Sequence, residues 1–118
     1  MNRSHSASQP LTAVEFEILL SLADDDRHGY AILQEIESRT GGRLGLLPGT
    51  LYRALNRLLQ GGWVAECPDA RASQDDPRRR IYRLTSEGRR LAAREAERLA
   101  RQLITARARN VWRKGESR

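Results

Sequence analysis

Cysteine is almost missing: Cys67 stands alone, so no disulfide can close within the chain and no cysteine-based zinc site can assemble in it. Aromatic residues are 5% of the sequence, too few for the stacking platform on which single-stranded RNA is read. No apolar run approaches the ~20 residues that span a bilayer. The polar, serine-rich start Met1–Gln9 has no signal-peptide core. A soluble, cytoplasmic protein is expected. No paired carboxylates, Ser/His/Asp set or Cys/His set falls at a spacing that helix or strand would bring together, so no enzyme is expected. His28 has no second metal ligand near it, and Gly41–Gly49 lacks the Gly-Lys-Ser/Thr ending of a phosphate-binding loop, so neither metal nor cofactor is expected.

Lysine is nearly absent too, Lys114 being the only one, and the net charge of +6 is carried by arginine. It is unevenly spread. Residues 1–67 hold 6 arginines against 8 acids, residues 68–85 hold 5 against 3, and residues 86–118 hold 10 basic groups against 4. A basic second half fits a polyanionic partner such as nucleic acid, although an arginine-rich codon bias would also produce it.

The 118 residues allow one compact domain with one projecting element. Residues 1–9 read as a disordered tail. Thr12 and Glu15 have capping-box spacing, with Leu11 and Phe16 placed as a hydrophobic staple, and Val14, Ile18, Leu19 and Leu22 form a helical stripe that ends at Asp24–Asp26. A second helix runs from His28-Gly29 to about Arg39 and stops at Gly41-Gly42. The third spans Pro48 to about Gln60, with Leu51, Leu55, Leu58 and Gly62 on one narrow face. Its opposite face holds Gly49, Arg53, Asn56 and Gln60, flanked by Thr50, Tyr52 and Arg57, and has no carboxylate. Strands at Trp63–Cys67 and Arg79–Thr85 enclose a polar loop, Pro68–Arg78, as a β-hairpin. A last helix, capped at Thr85, is expected over 86–114, with 115–118 as a tail. Ala92, Ala96, Leu99, Leu103, Ala106 and Asn110 alternate spacings of four and three, a coiled-coil seam that a second copy would cover.

The expected fold is therefore mainly α with a small β-hairpin: a winged helix-turn-helix over residues 10–85, followed by a dimerisation helix. In that frame the third helix is presented to the major groove of double-stranded DNA. Arg53 and Arg57 can reach a guanine edge or a phosphate and Asn56 an adenine edge, while Thr50 and Tyr52 suit phosphate oxygens or brace the helix. Arg71 and the run Arg78-Arg79-Arg80 are placed to grip the backbone from the wing, with Arg83 too deep in the strand to join them. Tyr30 and Trp63 read as packing residues, and Cys67 as a packed strand residue. Trp112 is the only aromatic residue of the last helix and the one candidate for stacking on a ligand.

The order of these segments resembles the PadR family of transcriptional regulators, specifically its short members with a single C-terminal helix. The matching residues are His28-Gly29-Tyr30-Ala31-Ile32, Gly49-Thr50-Leu51-Tyr52-Arg53-Ala54-Leu55, Arg57-Leu58 with Gly62, and Arg79-Arg80-Ile81-Tyr82-Arg83-Leu84-Thr85, continuing through Glu87-Gly88 to Leu91. Leu47 stands where the family often has serine, and Leu59 where an acid is common. The resemblance implies a homodimer that represses transcription from a near-palindromic operator, released in some members by a small hydrophobic or phenolic inducer. The rival reading is a winged-helix dimer that meets an acidic protein instead of DNA.

Overall fold

The computed structural model describes residues 11–68, 80–113 and 115. The expected N-terminal tail and the wing residues Arg71, Arg78 and Arg79 lie outside the described residues.

Helix α1 (Ala13–Ser21) begins with the expected capping box: the Glu15 N–H donates to Thr12 Oγ1 at 3.1 Å, and the Thr12 N–H donates to Glu15 Oε1 at 2.9 Å. Two orphan donors of the first turn are thereby satisfied. A two-residue strand β1 (Arg27–His28) leads into α2 (Gly29–Thr40), and α3 covers Pro48–Gln60. Strands β2 (Val64–Pro68) and β3 (Arg80–Leu84) pair antiparallel with Glu66 opposite Tyr82, and α4 (Ser86–Ala108) follows. The expected two-stranded hairpin is a three-stranded sheet in the order β1-β3-β2, with Arg27 opposite Tyr82 and His28 opposite Ile81. Two residues are too few for an alternating pattern, so β1 exists only because β3 offers it a free edge.

One core joins these layers. Ile18, Leu19 and Leu22 of α1, Ile32 and Ile36 of α2, Leu51, Ala54, Leu55 and Leu58 of α3, Val64 of β2 and Tyr82 of β3 are buried together, with Leu46 from the connecting turn. Across the α1–α2 seam, Arg39 Nη2 reaches Glu17 Oε1 at 2.6 Å, and from β1 Arg27 Nε donates to the Ser21 carbonyl at 2.7 Å. Helices α2 and α3 stop at left-handed glycines, Gly41 (φ 65°) and Gly62 (φ 79°). The Gly42 N–H returns to the Glu37 carbonyl and the Trp63 N–H to the Leu58 carbonyl, the paired closure that satisfies last-turn carbonyls. Gly62 is thus the stop of α3 and not part of its buried face.

Helix α4 is held over its first turns and largely uncovered beyond Glu95. Thr85 Oγ1 accepts the Gly88 N–H at 3.0 Å and donates to the Gly62 carbonyl at 2.8 Å. A Cβ at Gly88 would lie 2.0 Å from the Trp63 carbonyl oxygen, so only glycine lets the helix approach this closely. The helix ends at Ala108, short of the expected Lys114. Asn110 takes the left-handed conformation (φ 63°), the Val111 N–H closes on the Ala106 carbonyl at 2.9 Å, and the Asn110 N–H on the Arg107 carbonyl at 3.1 Å. Asparagine tolerates this backbone because its short polar side chain costs little there, and the seam loses its expected last member.

Gly88→Ala should lower stability by about 1–3 kcal/mol, since the clash is with backbone that cannot swing away; a thermal melt measures it. Glu95 is 9% exposed and its carboxylate holds Arg98 Nη2 at 2.6 Å, which keeps the carboxyl below the ordinary range. A carboxyl lowered on folding adds stability that is full above its unfolded pKa and is lost as pH falls through the folded value. Glu95→Gln should therefore lower stability by a near-constant amount above pH ~6 and flatten the acid limb of a stability–pH profile, so that variant and wild type converge in acid.

Candidate nucleic-acid interface

Burying Leu51, Leu55 and Leu58 on one side of α3 forces the opposite side outward. Gly49, Arg53, Asn56 and Gln60 are all exposed, and Thr50 is half-buried beside them. Arg53 Nη2 lies 3.4 Å from Thr50 Oγ1, so the guanidinium lies back along the first turn. No carboxylate belongs to this helix. The strip can thus present arginine, amide and hydroxyl groups to an anionic or hydrogen-bonding surface without local repulsion.

Other expected site residues are placed differently. Arg57 donates Nε to Glu15 Oε2 at 2.8 Å and keeps 55% of its side chain exposed. It is a strut between α3 and α1 with its outer guanidinium face still in water. Tyr52 packs against the core, with its ring against Gly29: a Cβ there would meet the Tyr52 hydroxyl at 2.4 Å. The packing of its ring fits the bracing role expected for Tyr52. Arg80 Nη1 bonds Glu66 Oε2 across the sheet at 2.7 Å, which raises the arginine pKa further and neutralises part of its charge. Arg83, expected deep in the strand, is exposed, and Tyr30, expected to pack, is 62% exposed. Tyr30 was findable: at ~100° per residue it lies ~200° around α2 from Ile32, which is fully buried. The Glu15–Arg57 bond was not, because 42 residues separate its partners.

The proposed seam on α4 divides in two. Ala92 packs against this chain's own core. Ala96, Leu99 and Leu103 are exposed, the leucines at 40% and 43%, with Ile104 at 66%; Ala106 is half-covered. Trp112 folds back so that the Arg107 guanidinium lies 5.6 Å from its ring centre, and a stacking ligand would compete with that cation. Among the described residues no cluster of three His, Cys, Asp or Glu could hold a metal ion, and no helix is long and apolar enough to cross a membrane.

The family model of the transcriptional regulator PadR-like family matches residues 18–94, from the core of α1 through the first part of α4. The chain belongs to this family. A PadR-family transcription regulator from Clostridium difficile has a similar structure, with TM-score 0.71 at 23% identity over 82% of this chain and 97% of that one. A transcriptional regulator from Clostridium thermocellum superposes with TM-score 0.64 at 29% identity, covering 78% and 86% of the two chains. In sequence, 84 residues are 44% identical to an uncharacterised 37.1 kDa protein in transposon TN4556 of Streptomyces fradiae; that match is 71% of this chain and 22% of the Streptomyces protein. Membership in the PadR-like family places this chain among transcriptional regulators. In this PadR-like chain α3 is tied to α1 by one carboxylate. Glu15→Ala should cost about 1–2 kcal/mol, since it removes a cap bond and an ion-paired bond whose arginine end is half in water. Urea unfolding measures the loss, and a circular dichroism spectrum should show the helices retained.

Proposed function

We propose that this PadR-like regulator acts as a homodimeric repressor of a near-palindromic operator, each copy laying α3 in a major groove. The observation that carries the reading is the exposed, carboxylate-free strip Gly49-Arg53-Asn56-Gln60 on a helix whose other side is wholly committed to the core. Arg53 and Asn56 read base edges, Thr50 and the outer face of Arg57 meet phosphates, and Tyr52 holds α3 at its angle to α2. Arg78 and Arg79, with Arg71, supply phosphate contacts from the wing, and Arg80 shares its charge with Glu66.

Dimerisation rests on Ala96, Leu99, Leu103 and Ala106, the part of α4 that this chain leaves uncovered. Two-fold pairing there gives one recognition helix per half-site, hence a near-palindrome. A small hydrophobic or phenolic effector would act at this seam by changing the separation of the two α3 helices, and Trp112 fluorescence would report it.

Titration against DNA upstream of the protein's own coding region and against a scrambled duplex, at several salt concentrations, tests the reading. Sequence-preferring binding is expected, with log K falling by ~0.9 per phosphate contacted for each unit of log salt. Equal, weak binding to both duplexes, repeated with DNA recovered by pull-down, favours the rival protein-interaction module. Arg53→Ala should reduce preference for the operator, while Arg79→Ala should weaken both duplexes alike. Leu103→Glu should shift the sedimentation mass from two chains to one; a wild-type mass of one chain rejects the dimer.

A further inference from the structure

Leu47 breaks two local rules at one position. It is the N-cap of α3, with φ −94° and ψ 149°, yet its side chain makes no bond to the free N–H groups of the first turn. Serine, threonine, aspartate and asparagine supply that bond and leucine cannot. It is also 66% exposed, so it gains little from burial. The core does not need it: neighbouring Leu46 fills the inward position at 9% exposure, with its N–H held by Glu37 Oε2 at 3.0 Å, and Leu51 is buried one turn on. The carbonyl of Leu47 accepts the Leu51 N–H at 3.0 Å, a backbone bond that any residue would make. Where a local rule is broken without structural gain, a functional demand is the expected cause.

The demand follows from where α3 points, and this step rests on the DNA-binding reading above. The N-terminal residues of a recognition helix are those that approach base edges. Gly49, two residues after Leu47, is exposed and has no side chain to hold the bases away. The major-groove edges of the four base pairs display a single apolar group, the 5-methyl of thymine. We infer that Leu47 is a specificity residue that packs against a thymine 5-methyl in each half-site. The leucine forgoes a cap in exchange for covering this methyl from water, an increment of about fourfold in affinity per thymine.

The probe is the duplex that the full-length protein enriches from a randomised pool, remade with deoxyuridine at one thymine at a time, which deletes only the methyl. The wild type should lose about fourfold in affinity at one thymine per half-site. Leu47→Ser should bind the thymine and uracil forms of that duplex alike while melting at a higher temperature, because its hydroxyl caps α3. Leu47→Met, which keeps an apolar tip, should retain the discrimination. If sequence preference persists but no uracil replacement matters, the thymine contact alone is overturned. Discrimination that survives in Leu47→Ser overturns it equally. If no duplex is enriched, the DNA-reading role of α3 falls and this inference falls with it.

Discussion

The Glu15 carboxylate is the joint on which the geometry of the domain turns. One oxygen accepts the Thr12 N–H and closes the first turn of α1; the other accepts Arg57 Nε from α3. A single buried acid therefore sets where α1 starts and how far α3 can rotate about its own axis. Beneath it, Ile18 and Leu19 are packed in one core with Leu51, Leu55 and Leu58. Apolar packing is non-directional and would tolerate some rolling of α3. The charge-assisted bond is directional and removes that freedom. Which residues of α3 face water is thus decided jointly, by leucines that must go inward and by an arginine held at one angle.

Two outward surfaces follow. The first is the polar strip of α3, braced from the α2 side by Tyr52 lying against Gly29. The second is the far half of α4. Its near end is clamped by Thr85 on the Gly62 carbonyl and by the close approach of Gly88 to Trp63. Beyond Glu95 this chain covers almost none of it. The bond from Thr85 to the Gly62 carbonyl links the end of α3 to the root of α4. A displacement of the α4 root would therefore reach α3 through few intervening atoms.

Much of this was legible in the residues. The capping box at Thr12 and Glu15, the span Pro48–Gln60, and the glycine stops near 41 and 61–62 came out where local chemistry put them. Those signals depend on neighbours within about four positions, which sequence displays directly. The sequence was silent where one side chain had two competing uses. Arg57 lies on the outward flank of α3 but is also within reach of Glu15. Ala92 has seam spacing but also meets the core. Asn110 fits a heptad and is equally suited to the left-handed residue that ends a helix. Periodicity cannot choose between such uses, because both are consistent with the same spacing.

By itself, the sequence determined the order of helices and strands, the inward face of α3 and the absence of acids on its outward face. Each of these follows from local backbone preference and from the segregation of apolar side chains. Only the tertiary structure decided that the Tyr52 ring lies against Gly29, that Arg57 and Arg80 pair with Glu15 and Glu66, and that two residues at Arg27–His28 become a strand. The reason is distance along the chain. Contacts between residues tens of positions apart exist only after the core has fixed where their helices and strands lie, and no window of sequence contains that information.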